Sequence, residues 1–177
     1  MKRLLTLASL AAFVSFQVDA QPPAPPADEL PLAIATQWAQ ATIAACKARG
    51  YNVTAEYMNT DLDLKLVMRA DGARAGTVEI ARRKAYSAVK SGMDSGQYAA
   101  SVGFPPGKPF PRPAAGQPMV FPAAPNGDKN MIPLAGAVLV KVGGKTVGAV
   151  AVSGAPGGDK DEACARAGLT GIAGELK

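Results

Sequence analysis

The chain contains no histidine, and that absence removes more chemistry than any other feature of its composition. Histidine is the commonest general base near neutral pH, the commonest metal ligand and the usual ligand of haem iron. A Ser-His-Asp triad, a Cys-His nucleophile and a His-based zinc site are therefore all excluded. Aromatic residues make up only 6% of the chain, with a single tryptophan. Excess charge is scarce as well. The formal +5 falls to +4 once Lys2, Arg3 and Asp19 are set aside, and Arg82-Arg83-Lys84 is the only basic run. Binding to nucleic acid usually needs a clustered basic face with interleaved aromatics, and the sequence shows neither. Beyond Ala20 no apolar stretch is long enough to span a bilayer.

What is present begins at the N-terminus. Lys2 and Arg3 precede an almost unbroken apolar run from Leu4 to Val18, and Val18-Asp19-Ala20 places small or tolerated residues where a signal peptidase cuts. An apolar run of roughly 15 residues is short of the ~20 that cross a hydrocarbon core. Cleavage after Ala20 and export to the periplasm or the medium are the expectation, with an uncleaved anchor helix as the alternative. Residues 21–30, with Pro22, Pro23, Pro25 and Pro26, read as an extended linker. Residues 31–177 then make a single domain.

Within that domain the spacing predicts a helix from Leu32 to Arg49, opened by Pro31, stopped by Gly50, with Ala35, Ala39, Ile43 and Cys46 along one face. Tyr51 to Tyr57 alternates as a strand, and Leu64 to Arg69 as a second, joined by Asn59 to Asp63. Helical spacing returns from Thr77 to Lys90, and a short helix is expected around Asp94 to Val102. Gly103 to Asn130 is a proline-rich insert, long for a compact domain, and reads as a surface insertion or an interaction arm. Ala137 to Val142 and Thr146 to Val152 form a hairpin about Gly143-Gly144-Lys145. A glycine-rich loop, Ser153 to Gly158, leads into a closing helix from Asp159 to Leu176.

Hairpins between terminal helices describe an α+β layered domain. Gly168 and Gly171 cost helix propensity in the last helix, which makes sense if another helix approaches closely. The two terminal helices carry matching small-residue stripes, so they are expected to pack side by side and bring Cys46 and Cys164 together. Export makes a disulfide chemically accessible, and two buried free thiols are the alternative. This reading leaves the opposite face of the sheet open for a ligand.

Four segments resemble the GlcG/HbpS family, in particular its exported branch. They are Ala45–Val53, Leu66–Ala73, Arg83–Val89 and, most specific, Gly148–Gly168. The likeness implies a profilin-like or PAS-like sandwich on an antiparallel sheet of about five strands. It also implies homo-oligomers and association with haem or a related flat, anionic tetrapyrrole. Three departures fall where a ligand is expected, one of them the long insert just before the last hairpin. Tyr57-Met58-Asn59-Thr60-Asp61 replaces a Val-Val-Asp and glycine turn, and Leu134-Ala135-Gly136-Ala137-Val138 replaces a Gly-Gly-x-Pro-Ile.

Candidate contacts follow. Arg69, Arg74, Arg83 and Lys84 can pair with carboxylates such as haem propionates, although solvated charges on helices and strands need no such role. Lys84, Tyr86 and Ser87 lie in the segment the resemblance marks. Ser153, Gly154, Gly157 and Gly158 precede a helix start where backbone N–H groups favour anions, and equally form an ordinary strand-to-helix turn. Without histidine, iron ligation falls to Met68 or Met93, with Tyr86 a further candidate, although such residues are ordinary packing groups. No nucleophile–base pair emerges from the spacing. The expectation is thus a non-catalytic binding protein for haem or a similar cofactor. The alternative is an accessory module of a periplasmic redox system that contacts a partner through residues 103–130.

Overall fold

The computed structural model of the chain describes residues 28–104 and 124–177. The expected signal peptide, most of the linker and the body of the proline-rich insert lie outside the described residues.

Helix α1 spans Leu32–Lys47, followed by strands β1, Thr54–Asn59, and β2, Leu64–Arg69. Helices α2, Gly76–Ser91, and α3, Ser95–Ser101, come next, then β3, Ala137–Val142, and β4, Lys145–Ser153. The chain closes with α4, Gly158–Gly171, and a 3₁₀ turn, Ala173–Leu176. The expected single closing helix is thus broken after Gly171, and β1 starts three residues later than its alternation suggests. Each hairpin pairs antiparallel, and β1 also pairs antiparallel with β4, giving the order β2-β1-β4-β3.

The described residues hold four strands where about five are expected. The outer edge of β3 shows why no further strand joins there. The Ala137 amide donates to Ser95 Oγ at 2.8 Å and the Leu139 amide to Asp94 Oδ1 at 2.8 Å. Side chains at the start of α3 thus occupy the amides that another strand would need.

Alternation along β1 divides the core. Val53, Ala55 and Tyr57 face one side with Val138, Val140, Val150 and Val152, and pack with Trp38, Ala39 and Cys46 of α1 and with Cys164 and Ala165 of α4. On this side the terminal helices are neighbours, as expected. Cys46 and Cys164 form a disulfide with their Cα atoms 5.5 Å apart. A Cβ at Gly168 would lie 1.9 Å from Thr42 Oγ1 and 2.9 Å from Trp38 Nε1, so only glycine permits this crossing. Trp38 Nε1 donates to the Ala165 carbonyl at 3.1 Å, fixing the register of the pair.

The other side of the sheet is not open, contrary to the sequence reading. Met58, Ala137, Ala149 and Ala151 meet Ala81, Ala85 and Ala88 of α2. Alanines on both surfaces allow the helix to lie close to β1, β4 and β3. The fold is therefore three layers: α1 and α4, the sheet, then α2. This is the profilin-like α+β sandwich that the resemblance implies, with the terminal helices packed together.

Candidate functional site

Helix α2 covers three strands but leaves edge strand β2 largely bare. Register places Leu64 opposite Met58, Val67 opposite Glu56 and Arg69 opposite Thr54, so all three point to the α2 side. Leu64 is 39% exposed and Val67 42%, the most exposed large apolar residues described apart from Leu32 on α1. Arg69 is also exposed, with one guanidinium nitrogen donating to the Ala73 carbonyl at 3.0 Å. The result is an apolar strip that ends in a cation.

The wall of this strip is the flank of α2. Arg82 Nε and Nη2 donate to the two oxygens of Glu79 at 2.8 and 2.9 Å, a bidentate pair on the helix surface. That pair holds the Glu79 carboxyl below its usual range. Beside the strip, Glu56 projects from β1 beneath α2 and is completely buried. Among the described residues neither of its carboxyl oxygens has a hydrogen-bond partner. Burial pushes this carboxyl up to about 8, against the pull of the Arg82 guanidinium.

The residues singled out from sequence separate into several regions. Arg69 lies on the strip, and Arg74 is exposed in the turn before α2. Lys84 is buried, with its ammonium donating to Asp161 Oδ2 at 2.7 Å and to the Val152 carbonyl at 2.9 Å. Asp161 Oδ1 also accepts the Ala155 amide at 2.9 Å, and burial raises its carboxyl above the usual range against the pull of Lys84. Lys84 therefore links α2 to the start of α4 around the end of β4. Ser87 accepts the Ile132 amide at 2.8 Å, and Arg83 donates to the Lys129 and Met131 carbonyls, so both clasp the chain that leads into β3. Tyr86 donates to Asp128 Oδ2 at 3.0 Å.

Ser153 is buried at the end of β4. Gly154 and Gly158 lie against backbone: an added Cβ would meet the Asn52 carbonyl at 2.5 Å and the Ala135 carbonyl at 2.6 Å. Close packing of the loop thus accounts for these glycines. Gly157 stands at φ +147°, in the region that favours glycine. Of the methionines, Met68 packs toward α1 and α4, away from the strip, and Met93 joins a satellite cluster with Tyr98, Ala124 and Met131. The structure does not bring the two together.

Leu64, Val67, Glu56 and Arg82 were not legible as a group. Alternation in β1 marks Thr54 and Glu56 as outward residues, which holds for a sheet with one wet face. The signal that overrules it is the row of alanines, Ala137, Ala149 and Ala151, on the same side as Glu56: a surface that small is built to receive a helix.

A three-layer sandwich on an antiparallel sheet of this strand order places the chain in the profilin-like class. The match to the family model described as "Haem degrading protein HbpS-like" covers residues 30–170, and the chain belongs to that family. Among solved structures, HbpS is 26% identical with a TM-score of 0.66, covering 89% of this chain and 97% of its own. Klebsiella pneumoniae protein ORFY is 20% identical with a TM-score of 0.65, covering 90% of this chain and 98% of its own. A PduOC:heme complex is 16% identical with a TM-score of 0.63, covering 81% of this chain and 94% of its own, and shares the fold. No curated protein matches in sequence.

Proposed function

We propose that this protein is an exported, non-catalytic binding protein for haem or a related flat, anionic cofactor, working as a homo-oligomer in the periplasm or the medium. The observation that carries the reading is the strip of β2: exposed Leu64 and Val67 offer an apolar wall to a ring, and Arg69 on the same face offers a guanidinium to a carboxylate. Membership of the HbpS-like family and the likeness in fold to a heme complex support the same ligand class.

The chemistry of the strip sets the mode of binding. Histidine is absent from the chain, Met68 faces the other side of the sheet and Met93 lies in a separate cluster. Affinity then comes from ring burial and ion pairing rather than from a strong axial bond. A strip on one strand covers one face of a ring only, and a second copy of the chain supplies the other wall. That is the role of the oligomer in this reading.

Haem titration of the chain from Gln21 onward tests it. A saturable change in the Soret band at micromolar haem, together with a haem-bearing oligomer in native mass spectrometry, is the expected result. No spectral change at those concentrations overturns it.

A further inference from the structure

Glu56 is a long polar side chain in an interface built mainly of alanine, and the groups around it can be named element by element. From α2, Glu79 and Arg82 act on it electrostatically. From β2, Val67 stands directly opposite and Arg69 lies farther along the same face, engaged with the Ala73 carbonyl. From β4 come Ala149 and Ala151, neither of them ionisable. On β1 itself the same-side neighbours are Met58 and Thr54, whose hydroxyl is paired with that of Thr77 at 2.7 Å. Lys84, the buried cation of α2, is committed to Asp161. Arg82 is thus the α2 cation that acts on Glu56, and it is held by Glu79 in the bidentate pair.

We propose that Glu56 is a proton-operated switch beneath α2: neutral, it lies dry and unpartnered in the alanine seam, and ionised, it draws Arg82 from Glu79 and loosens the first turns of the helix. The step is a simple deprotonation, in which the carboxyl O–H bond breaks and the proton passes to solvent water. A carboxylate cannot remain in that seam without a partner, because a buried, unpaired charge is far costlier than a buried neutral acid. Either the cation comes in or water does, and both displace the helix from the sheet.

The sign of the pH dependence follows. The folded chain keeps this proton up to about 8, whereas an exposed glutamate releases it around 4.5. Glu56 therefore favours the fold most below the lower value. That contribution declines as pH rises through the interval and levels off once the folded carboxyl ionises. The flank of α2 that moves is the wall of the β2 strip, so the opening couples proton loss to the shape of the candidate site.

Amide exchange of residues 76–83, corrected for intrinsic rate, tests the switch at about pH 6.5 and about pH 9.5. In the unaltered protein the protection of these amides is expected to fall about tenfold or more between the two conditions, while α4 is unchanged. In Glu56→Gln the fall is expected to vanish. Equal protection at both pH values, or an equal fall in the variant, overturns the proposal. A second measurement does not rely on that variant folding: the Glu56 side-chain carboxyl is titrated by NMR in the unaltered protein and in Arg82→Ala, a change on the helix surface. The midpoint is expected near 8 and higher still without Arg82. A midpoint in the ordinary glutamate range, or one indifferent to Arg82, overturns it.

Discussion

Lys84 and Asp161 illustrate how a residue with the right chemistry for a ligand can be fully engaged within the fold. Both are buried, and their 2.7 Å pair joins the helix on one face of the sheet to the helix on the other. Removing one partner strands the other as a buried charge or an unsatisfied acid, which typically costs about 3–5 kcal/mol. Lys84→Met is therefore expected to lower the urea midpoint by a corresponding amount, and a loss under about 1 kcal/mol would show the pair to be incidental. Gly168 makes a different demand. An added methyl would overlap Thr42 Oγ1, so Gly168→Ala is expected to cost about 1–3 kcal/mol through forced separation of α1 and α4. Thermal unfolding that matches the parent would contradict this. Of the two, only Gly168 carries a local sign of its contact. A glycine inside a helix signals contact whatever touches it, whereas a lysine's partner seventy-seven positions away leaves no local trace.

The elements were largely legible. β2 and β3 carry the bounds their alternation indicates, and the small-residue stripes of α1 and α4 led to their contact and to the Cys46–Cys164 disulfide. Chain-entropy estimates for a bridge across a separation of 118 give about 4–5 kcal/mol. Replacing both cysteines with alanine is expected to destabilise the fold by that order, read from chemical unfolding with a steeper denaturant slope because the unbridged denatured chain is more expanded. A loss below about 1 kcal/mol would mean that the α1–α4 packing holds the chain equally well in the unbridged state. The layer on the other side was not legible, because alternation reports only that a strand has two faces. It does not say whether the polar face meets water or a helix. α2 settles that through its alanines, and with them the burial of Glu56. The break after Gly171 has a similar origin: the spacing of apolar residues continues into the 3₁₀ turn, although the helical bonding does not.

For the whole molecule, the arrangement gathers the disulfide, the buried ion pair and the packed glycine loop around the α1–α4 side and the end of β4. Among the described residues it leaves the α2-facing surface of β2 as the least covered part of the sheet. A sandwich with one thinly covered edge suits a binding protein, and the central claim is that the flat ligand lies on that edge. The direct test is a haem titration followed at the Soret band, comparing the unaltered protein with Leu64→Gln, an uncharged change at an exposed strand position outside the core clusters. The account predicts micromolar, saturable binding that weakens about tenfold or more in the variant, a loss of about 1.4 kcal/mol, with the melting temperature preserved. Equal haem affinity in the two proteins would contradict it.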